Sequence, residues 1–389
     1  MKNRNKRKYF LMQLKKEIPF TIFNLVVFSL LYILPLAFSN QYNIIEYADS
    51  GIRSYYHYFN LSTNYGFIVG ALAIYAVIVP VKALFFLTKK KYIDSYYSLP
   101  IERKDITFIQ IIVNILCVLM PFTIVFFSGS LVTLIFYHKI IYIYYVILYL
   151  ILIVCFILYF MYNAFFFSRA NKVLDGIVTV IFANFIFLLL MASIVEGLNL
   201  SKYKVIEVLN IKGSELNYLS LPFMPFIRYG NYFNEMIVSK YDYHDYVLRM
   251  NNQTIIKEEI LNYDSWFVEH RTPFNPIYLI FLGILGIVAI ILFIVLFNKR
   301  KPEQSEEIGT SCFGLKVLSP ICFSLLTILL SIETKLVISW VSFIIVIIGY
   351  LGITLLELRT FKFPLYKILM LVGMFTLTFV SLFYYYLWW

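Results

Sequence analysis

Residues 276–298 read PIYLIFLGILGIVAIILFIVLFN and contain no charged side chain. A helix crosses the hydrocarbon core of a bilayer, ~30 Å thick, with about 20 apolar residues, so this run alone predicts a membrane-spanning helix. Eight more apolar runs lie at 20–39, 66–87, 106–131, 142–166, 174–195, 317–332, 335–357 and 365–388. Together they predict an all-α polytopic membrane protein of about nine transmembrane helices. The run at 317–332 is the shortest, and a re-entrant or interfacial segment there would leave eight spans.

The composition agrees with lipid as the main solvent of this chain. Hydrophobic residues make up 61% of it and charged residues 14%, whereas soluble domains carry about 25% charged residues. A single soluble core could not bury that much apolar surface. The 38 Phe and 33 Tyr accompany abundant Lys and Asn, a set that an AT-rich genome over-uses. The aromatic excess therefore does not by itself predict an aromatic binding site.

Lysine and arginine are distributed unequally between alternate loops. Twenty of the 33 lie in one alternating set of segments, namely 1–19, 88–105, 167–173, 299–316 and 358–364. The short loops between them hold only Arg53, Lys139 and, at a span edge, Lys335. By the positive-inside rule, the N-terminus is cytoplasmic and, with nine spans, the C-terminus is extracellular. The same clustering accounts for the net charge of +11 without nucleic acid as a partner.

The first 19 residues are basic and precede the apolar run at 20–39. That run is longer than the ~7–15 residues of a signal-peptide core, so it predicts a retained first span, with signal cleavage as the alternative. Residues 7–18 place apolar side chains on one helical face and lysines opposite. The pattern predicts a helix lying in the inner membrane interface, with a plain basic tail as the alternative. Its apolar face consists of Phe10, Leu11, Leu14 and Ile18.

The segment 196–274 interrupts the series of apolar runs. It is polar and slightly acidic, with ten acidic and eight basic residues, and alternation places it outside as a small loop domain. The predicted organisation is then 1–19 as a cytoplasmic basic interfacial helix, 20–195 as helices one to five with the inner loop 88–105, 196–274 as the extracellular loop domain, 275–298 as helix six, 299–316 as a cytoplasmic loop and 317–389 as the C-terminal transmembrane helices.

Catalytic and metal-binding patterns are missing from the sequence. It contains no GxxxxGK[ST], no HExxH and no GxSxG, so no nucleotide hydrolysis by this chain is predicted. The four histidines are scattered without ligand spacing, and the four cysteines form no CxxC pair. Neither a metal site nor a disulfide scaffold is therefore expected. These residues are His57, His138, His244, His270, Cys117, Cys155, Cys312 and Cys322.

Charged residues are almost absent from the middle of the predicted spans. Lys82 lies about one turn from the inner end of the second span and can extend its ammonium to the interface. Four asparagines lie deeper, and the sequence predicts that they join helices by hydrogen bonds. A secondary transporter or ion channel usually needs more buried charge, so any transport energy is expected to come from another chain. The four are Asn24, Asn114, Asn163 and Asn184.

Gly66 and Gly70 form a GxxxG pattern near the outer end of the second span. Two small residues at this spacing let helices approach closely in a membrane. The pattern predicts packing within the chain, with a dimer seam as the alternative.

The inner loop at 89–105 reads KKKYIDSYYSLPIERKD. Pro100 suits the first position of a new helix, and Glu102 and Asp105 would then lie near its N-terminus, where the helix dipole favours them. The residue before a proline tends to be extended, which ends the preceding structure at Leu99. The sequence therefore predicts a short helix at 89–98 along the membrane surface, held between two spans and suited to carrying force from a soluble partner.

The Asp-x-x-Tyr-Ser-Leu-Pro-x-x-Arg run in this loop resembles the loop between spans two and three of ATP-binding cassette transporter permeases of the type-2 exporter class. The likeness is greatest to the Firmicute branch near peptide, antibiotic and toxin exporters. In that family the loop contains the coupling helix, which docks in a groove of a separate ATPase. The matching residues are Asp94, Tyr97, Ser98, Leu99, Pro100 and Arg103. A weaker resemblance after span six involves Arg300, Glu303, Glu307 and Gly309.

The resemblance implies a permease subunit in the plasma membrane of a bacterium, exporting an amphipathic peptide or a lipid-like antibiotic. It implies two ATPase subunits that hold ATP and Mg, a second permease chain in a homo- or heterodimer, and no cofactor in this chain. The sequence departs from the family by about three extra C-terminal spans and a longer outer segment. The alternative function is a non-transporting sensor or immunity protein that binds ligand through 196–274. A membrane-embedded transferase is a third option, for which the sequence shows no cluster of His or acidic residues.

Overall fold

The structure is a computed structural model, and it describes most of the chain in eleven stretches. These are 2–38, 43–49, 52–58, 62–137, 142–200, 222–238, 246–249, 276–297, 314–333, 336–358 and 364–388. The helices are α1 (Lys2–Lys16), α2 (Ile18–Phe38), α3 (Ser62–Leu84), α4 (Lys90–Tyr97), α5 (Arg103–Tyr137), α6 (Tyr142–Ser168), α7 (Val173–Leu200), α8 (Met224–Val238), α9 (Ile277–Phe297), α10 (Leu315–Glu333), α11 (Leu336–Leu358) and α12 (Leu365–Trp388). A 3₁₀ turn, Phe85–Thr88, follows α3, and three short strands are β1 (Asn43–Asp49), β2 (Ile52–Tyr58) and β3 (Tyr246–Arg249).

Each predicted apolar run coincides with a helix in the described part of the chain. Five of these helices are long and apolar enough to cross a membrane, and six are when α1 and α2, which meet at a 49° bend, count as one span. The chain is therefore a polytopic helical membrane protein. The described portions of α10 and α11 contain only shorter apolar stretches, Lys316–Leu326 and Ile344–Leu355. The five long stretches are Gly66–Thr88, Arg103–Val132, Ile143–Ser168, Val173–Leu190 and Ile277–Phe297.

Helix α6 lies at the centre of the bundle, where it packs against α3, α7, α8 and α9. Its inner face is a column of fully buried side chains four residues apart, a spacing that aligns them along the helix. A glycine allows α9 to approach α6 closely, because a Cβ at Gly286 of α9 would lie 2.7 Å from the Cβ of Leu158. The buried column consists of Leu148, Leu152, Phe156 and Phe160.

A hydrogen-bonded network of buried polar side chains joins α3, α6 and α7. Tyr159 donates its hydroxyl to Asn184 Oδ1 at 2.7 Å, and Asn184 Nδ2 donates to Asn163 Oδ1 at 2.8 Å. Asn163 Nδ2 in turn donates to the carbonyl oxygen of Ala76 at 3.1 Å. In lipid these groups have no water to bond, so the network holds the three helices in register.

Asn24 joins α2 to α5 in a similar way. Its Nδ2 donates to the carbonyl oxygen of Cys117 at 3.0 Å, and the residue is fully buried. The prediction that deep asparagines connect helices is therefore confirmed for Asn24, Asn163 and Asn184. It is wrong for Asn114, whose Nδ2 donates to the carbonyl of Gln110 in the same helix at 2.9 Å.

Tyr32 of α2 packs into α5 at a glycine. A side chain on Gly129 would overlap the Tyr32 ring, so the close contact between these helices requires glycine there. The Tyr32 and Tyr145 hydroxyls are 2.8 Å apart, and Tyr145 donates to the carbonyl of Phe126. Three helices, α2, α5 and α6, are joined at this point without any charged group.

In the sequence, β1 and β2 lie between α2 and α3, while α8 and β3 lie between α7 and α9. Their contacts connect segments that are distant in sequence. Strands β1 and β2 form an antiparallel hairpin, and β3 pairs antiparallel with β2. Strands β1 and β2, which follow α2 in the sequence, and strand β3, which precedes α9, therefore lie at the same end of the bundle. Helix α8 packs against α3, α6 and α9. Its Tyr229 hydroxyl accepts the Leu279 N–H at 3.1 Å, one of the first N–H groups of α9, which have no partner within the helix.

The C-terminal helices form an attached layer. Helix α10 packs against α7, and both α11 and α12 pack against α10. Phe323 of α10 contacts Phe182 of α7 and Tyr350 of α11 through edge-on ring contacts, with centroids 5.6 and 5.8 Å away. In the part of the chain that the structure describes, the main contact of this layer with the rest of the bundle is therefore between α10 and α7.

The GxxxG glycines of α3 do not pack against another helix in the described part of the chain. Nothing lies within 4 Å of a Cβ built at Gly66 or Gly70. Within the described residues the predicted packing of this pair is not found, because the neighbours of α3 contact its other side, where Ile68, Leu72 and Ala76 are fully buried.

Candidate functional site

Helix α4 is the short helix predicted in the inner loop, and its bounds, Lys90–Tyr97, agree with the prediction. The next helix does not begin at Pro100 as predicted but at Arg103. The carbonyl of Glu102 accepts the Ile106 N–H at 3.1 Å, which places Glu102 at the N-cap and leaves Pro100 in the preceding turn. Asp105 lies in the first turn of α5, where the helix dipole stabilises a carboxylate.

One face of α4 is anchored to the bundle. Ile93 is buried, and the Tyr96 ring packs on Phe86 with centroids 4.9 Å apart. Tyr92 contacts Phe85 at 6.1 Å, on the 3₁₀ turn that leads from α3 into α4. Both tyrosines therefore contact the turn that joins α3 to α4.

The opposite face of α4 is open. Asp94, Ser95 and Ser98 are exposed, as are the lysines at its start. Ser98 Oγ donates to the carbonyl of Ser95 at 2.9 Å, which closes the C-terminal end of the helix. The helix thus combines an anchored apolar face with an exposed polar face.

Tyr97 and Arg103 connect the two sides of the turn after α4. The guanidinium carbon of Arg103 lies 4.9 Å from the centroid of the Tyr97 ring, within the range of a cation–π contact. Leu99 and Ile101 are partly buried, and Pro100 is exposed between them. The structure therefore brings together the six residues predicted for this loop on one short turn and helix. The second set, Arg300, Glu303, Glu307 and Gly309, lies outside the described residues.

Helix α1 is joined to the same end of the bundle. Lys6 forms an ion pair with Asp105 at 2.7 Å, and Gln110 Nε2 donates to the Tyr9 hydroxyl at 2.9 Å. Burial raises the pKa of Tyr9 to about 12. At the bend between α1 and α2, Glu17 forms an ion pair with Lys82, so Lys82 is partnered instead of only reaching toward water.

A cavity of about 230 Å³ lies inside this bend, between α1, the end of α3, α4 and α5. Its polar lining comes from Gln13, Lys16, Glu17, Lys82, Gln110 and Asn114. Its apolar walls are Ala83, Phe85, Phe86, Tyr92 and Tyr96. Sequence patterns alone missed this cavity, since its lining residues come from four separate segments.

Arg169 lies at the same end, in the turn between α6 and α7. It donates to the Leu296 carbonyl at 3.4 Å and to Ser168 Oγ at 3.3 Å. Burial lowers the pKa of its guanidinium to about 10. Basic residues from α1, the α4 loop and this turn therefore share one end of the bundle, in agreement with the charge asymmetry of the loops.

The described residues contain no group of three or more His, Cys, Asp or Glu side chains arranged to hold a metal ion. Comparison with known proteins gives no match, since no family model, no curated protein and no solved structure matches this chain.

Proposed function

We propose that the chain is the permease subunit of an ATP-binding cassette exporter of the type-2 class. The observation that carries this proposal is α4, a short surface helix fixed to the bundle by Ile93 and Tyr96 while Asp94 and Ser95 face outward. A helix held in this way can transmit the movement of a docked partner into α3 and α5. The family resemblance of the same residues supports an ATPase as that partner.

In this proposal two cytoplasmic ATPase subunits bind ATP and Mg, and this chain pairs with a second permease chain. Closure of the ATPases moves α4, and the bundle alternates between inward- and outward-open states. A largely uncharged interior suits a partly apolar cargo, which supports an amphipathic peptide or a lipid-like antibiotic as substrate. The membrane is the bacterial plasma membrane, crossed nine times, with the N-terminus inside.

The coupling experiment measures ATP hydrolysis by the cognate ATPase reconstituted with this chain. Arg103→Gln removes the Tyr97 contact and is compared with Lys104→Gln, which removes a neighbouring charge without that contact. A cation–π contact is worth about 0.5–1 kcal/mol at exposed sites, so we expect a twofold to fivefold loss of coupled hydrolysis for Arg103→Gln alone. Failure of the chain to associate with any ATPase would reject the proposal and favour the sensor or immunity function.

The membrane topology is tested separately by labelling single cysteines in a cysteine-free background. Lys15→Cys and Lys90→Cys are expected to react with an impermeant reagent only from the cytoplasmic side. A cysteine at Tyr246 is expected to react only from the outside. Reaction of Lys15→Cys or Lys90→Cys from the outside, or of Tyr246→Cys from the cytoplasmic side, would contradict the orientation without affecting the coupling experiment.

A further inference from the structure

The cavity at the α1–α2 bend has an excess of positive charge. Glu17 is engaged by Lys82, while Lys16 has no ion pair within the described residues. One cationic side chain is therefore left to attract an anion. The volume of about 230 Å³ is several times the ~30 Å³ share of one water molecule, so the space suits a small polar group rather than a single solvent molecule.

Asn114 contributes an unpaired hydrogen-bond acceptor to the cavity wall. The residue is 1% exposed and lines the cavity, and its Oδ1 has no hydrogen-bond partner in the described part of the chain. Its Nδ2 is already used by the Gln110 carbonyl. An unpaired buried acceptor is costly, so the cavity favours an occupant that supplies a hydrogen-bond donor.

The surroundings indicate where such an occupant comes from. Phe85, Phe86, Tyr92 and Tyr96 line the same cavity with aromatic rings. The cavity lies at the end of the spans where the basic residues gather, which is the depth of lipid headgroups. A soluble phosphate ester has no use for the aromatic wall, whereas a phospholipid places its glycerol and upper acyl chains there.

We propose that this cavity binds a phospholipid headgroup that combines a phosphate with a hydrogen-bond donor. The phosphate faces Lys16 and the donor, an ammonium or a hydroxyl, serves Asn114 Oδ1. A bound headgroup bridges α1, the end of α3, α4 and α5, so it stabilises the position of α4. The inference does not rest on the proposed transport function.

The test uses the full-length chain in nanodiscs and counts retained lipid by native mass spectrometry. Phosphatidylethanolamine and phosphatidylcholine carry the same net charge, but only the former has N–H donors. We expect phosphatidylethanolamine to be retained about fivefold more tightly, the range of one hydrogen bond. Soluble phosphoethanolamine is added as a competitor, to distinguish binding of a lipid from binding of a free phosphate ester. Competition by phosphoethanolamine with the same affinity as phosphatidylethanolamine would overturn the lipid assignment.

Substitutions of cavity-lining residues test whether lipid retention depends on this cavity. Lys16→Gln is expected to weaken retention of both lipids severalfold, while Lys15→Gln, the adjacent lysine outside the cavity, leaves it unchanged. Asn114→Leu is expected to abolish the preference between the two lipids, and Asn114→Asp, which keeps an acceptor, to preserve it. Equal effects of Lys15→Gln and Lys16→Gln, or an unchanged preference in a folded Asn114→Leu, would overturn the proposal.

Discussion

Asn163 of α6 supplies the hydrogen bond that Pro80 removes from α3. A proline has no N–H, so Pro80 leaves the carbonyl four residues earlier, that of Ala76, without its helical donor. Asn163 Nδ2 donates to that oxygen at 3.1 Å. Pro121 of α5 leaves the Cys117 carbonyl unpaired in the same way, and Asn24 Nδ2 donates to it at 3.0 Å. Both proline sites in these spans are thus satisfied by an asparagine of a neighbouring helix, as a lipid environment requires.

The first prediction concerns the pair Asn24 and Pro121. We expect Asn24→Leu to lower the free energy of unfolding by about 0.6 kcal/mol and by up to about 1.7, the range for hydrogen bonds between membrane helices. Pro121→Ala restores a backbone N–H for Cys117, so Asn24→Leu should cost less in that background. Unfolding in mixed micelles with increasing denaturing detergent measures the stability of the unchanged chain, of each single variant and of the double variant. Equal costs in both backgrounds would contradict the compensation.

The second prediction concerns Asn163 and Pro80, where the proline substitution should compensate less fully for the loss of the asparagine. Asn163 also accepts from Asn184 at 2.8 Å, and that bond is lost in Asn163→Leu whatever residue stands at position 80. We therefore expect Pro80→Ala to rescue part of the destabilisation only. Thr376→Val, at an exposed threonine of α12, is the control for removing a polar group from a helix. Complete rescue would show that the Asn184 bond contributes nothing.

The third prediction concerns Gly129. An alanine there would overlap the Tyr32 ring, and overpacking of this kind costs about 1–3 kcal/mol. Gly283→Ala in α9 is the matched control, because nothing lies within 4 Å of its Cβ and alanine favours the helix. Thermal unfolding should show a lower midpoint for Gly129→Ala and an unchanged or higher midpoint for Gly283→Ala. Similar midpoints for the two variants would mean that α2 and α5 are not in close contact.

The fourth prediction is a pH dependence at Tyr9. Its pKa is about 12 in the folded chain against an ordinary 10.0, so the folded state keeps the proton when the unfolded state has lost it. The stabilisation is fully present below pH 10 and is lost as the pH rises from 10 towards 12. Tyr9→Phe removes this titration, so its stability should fall less steeply over that window. Parallel curves for the two proteins, measured by the detergent denaturation midpoint, would contradict the burial of this hydroxyl.

The sequence was informative wherever a local pattern has a local cause. Nine apolar runs predicted where the helices lie, since each helix satisfies its own backbone in lipid. The lysine-rich loop predicted α4 within a residue at each end, because turn residues and a proline limit that segment. The start of α5 was missed by three residues, because Glu102 rather than Pro100 occupies the cap and the proline remains in the turn.

The sequence by itself determined the lipid-embedded helical class and the end of the bundle that collects the basic residues, since hydropathy and charge act residue by residue. Only the tertiary structure decided which asparagine serves which proline, because those partners lie 93 and 87 residues apart along the chain. It likewise assembled the cavity at the α1–α2 bend from four segments and left Gly66 and Gly70 without a packing partner in the described chain. Such pairings depend on how helices pack together, and no local pattern specifies them.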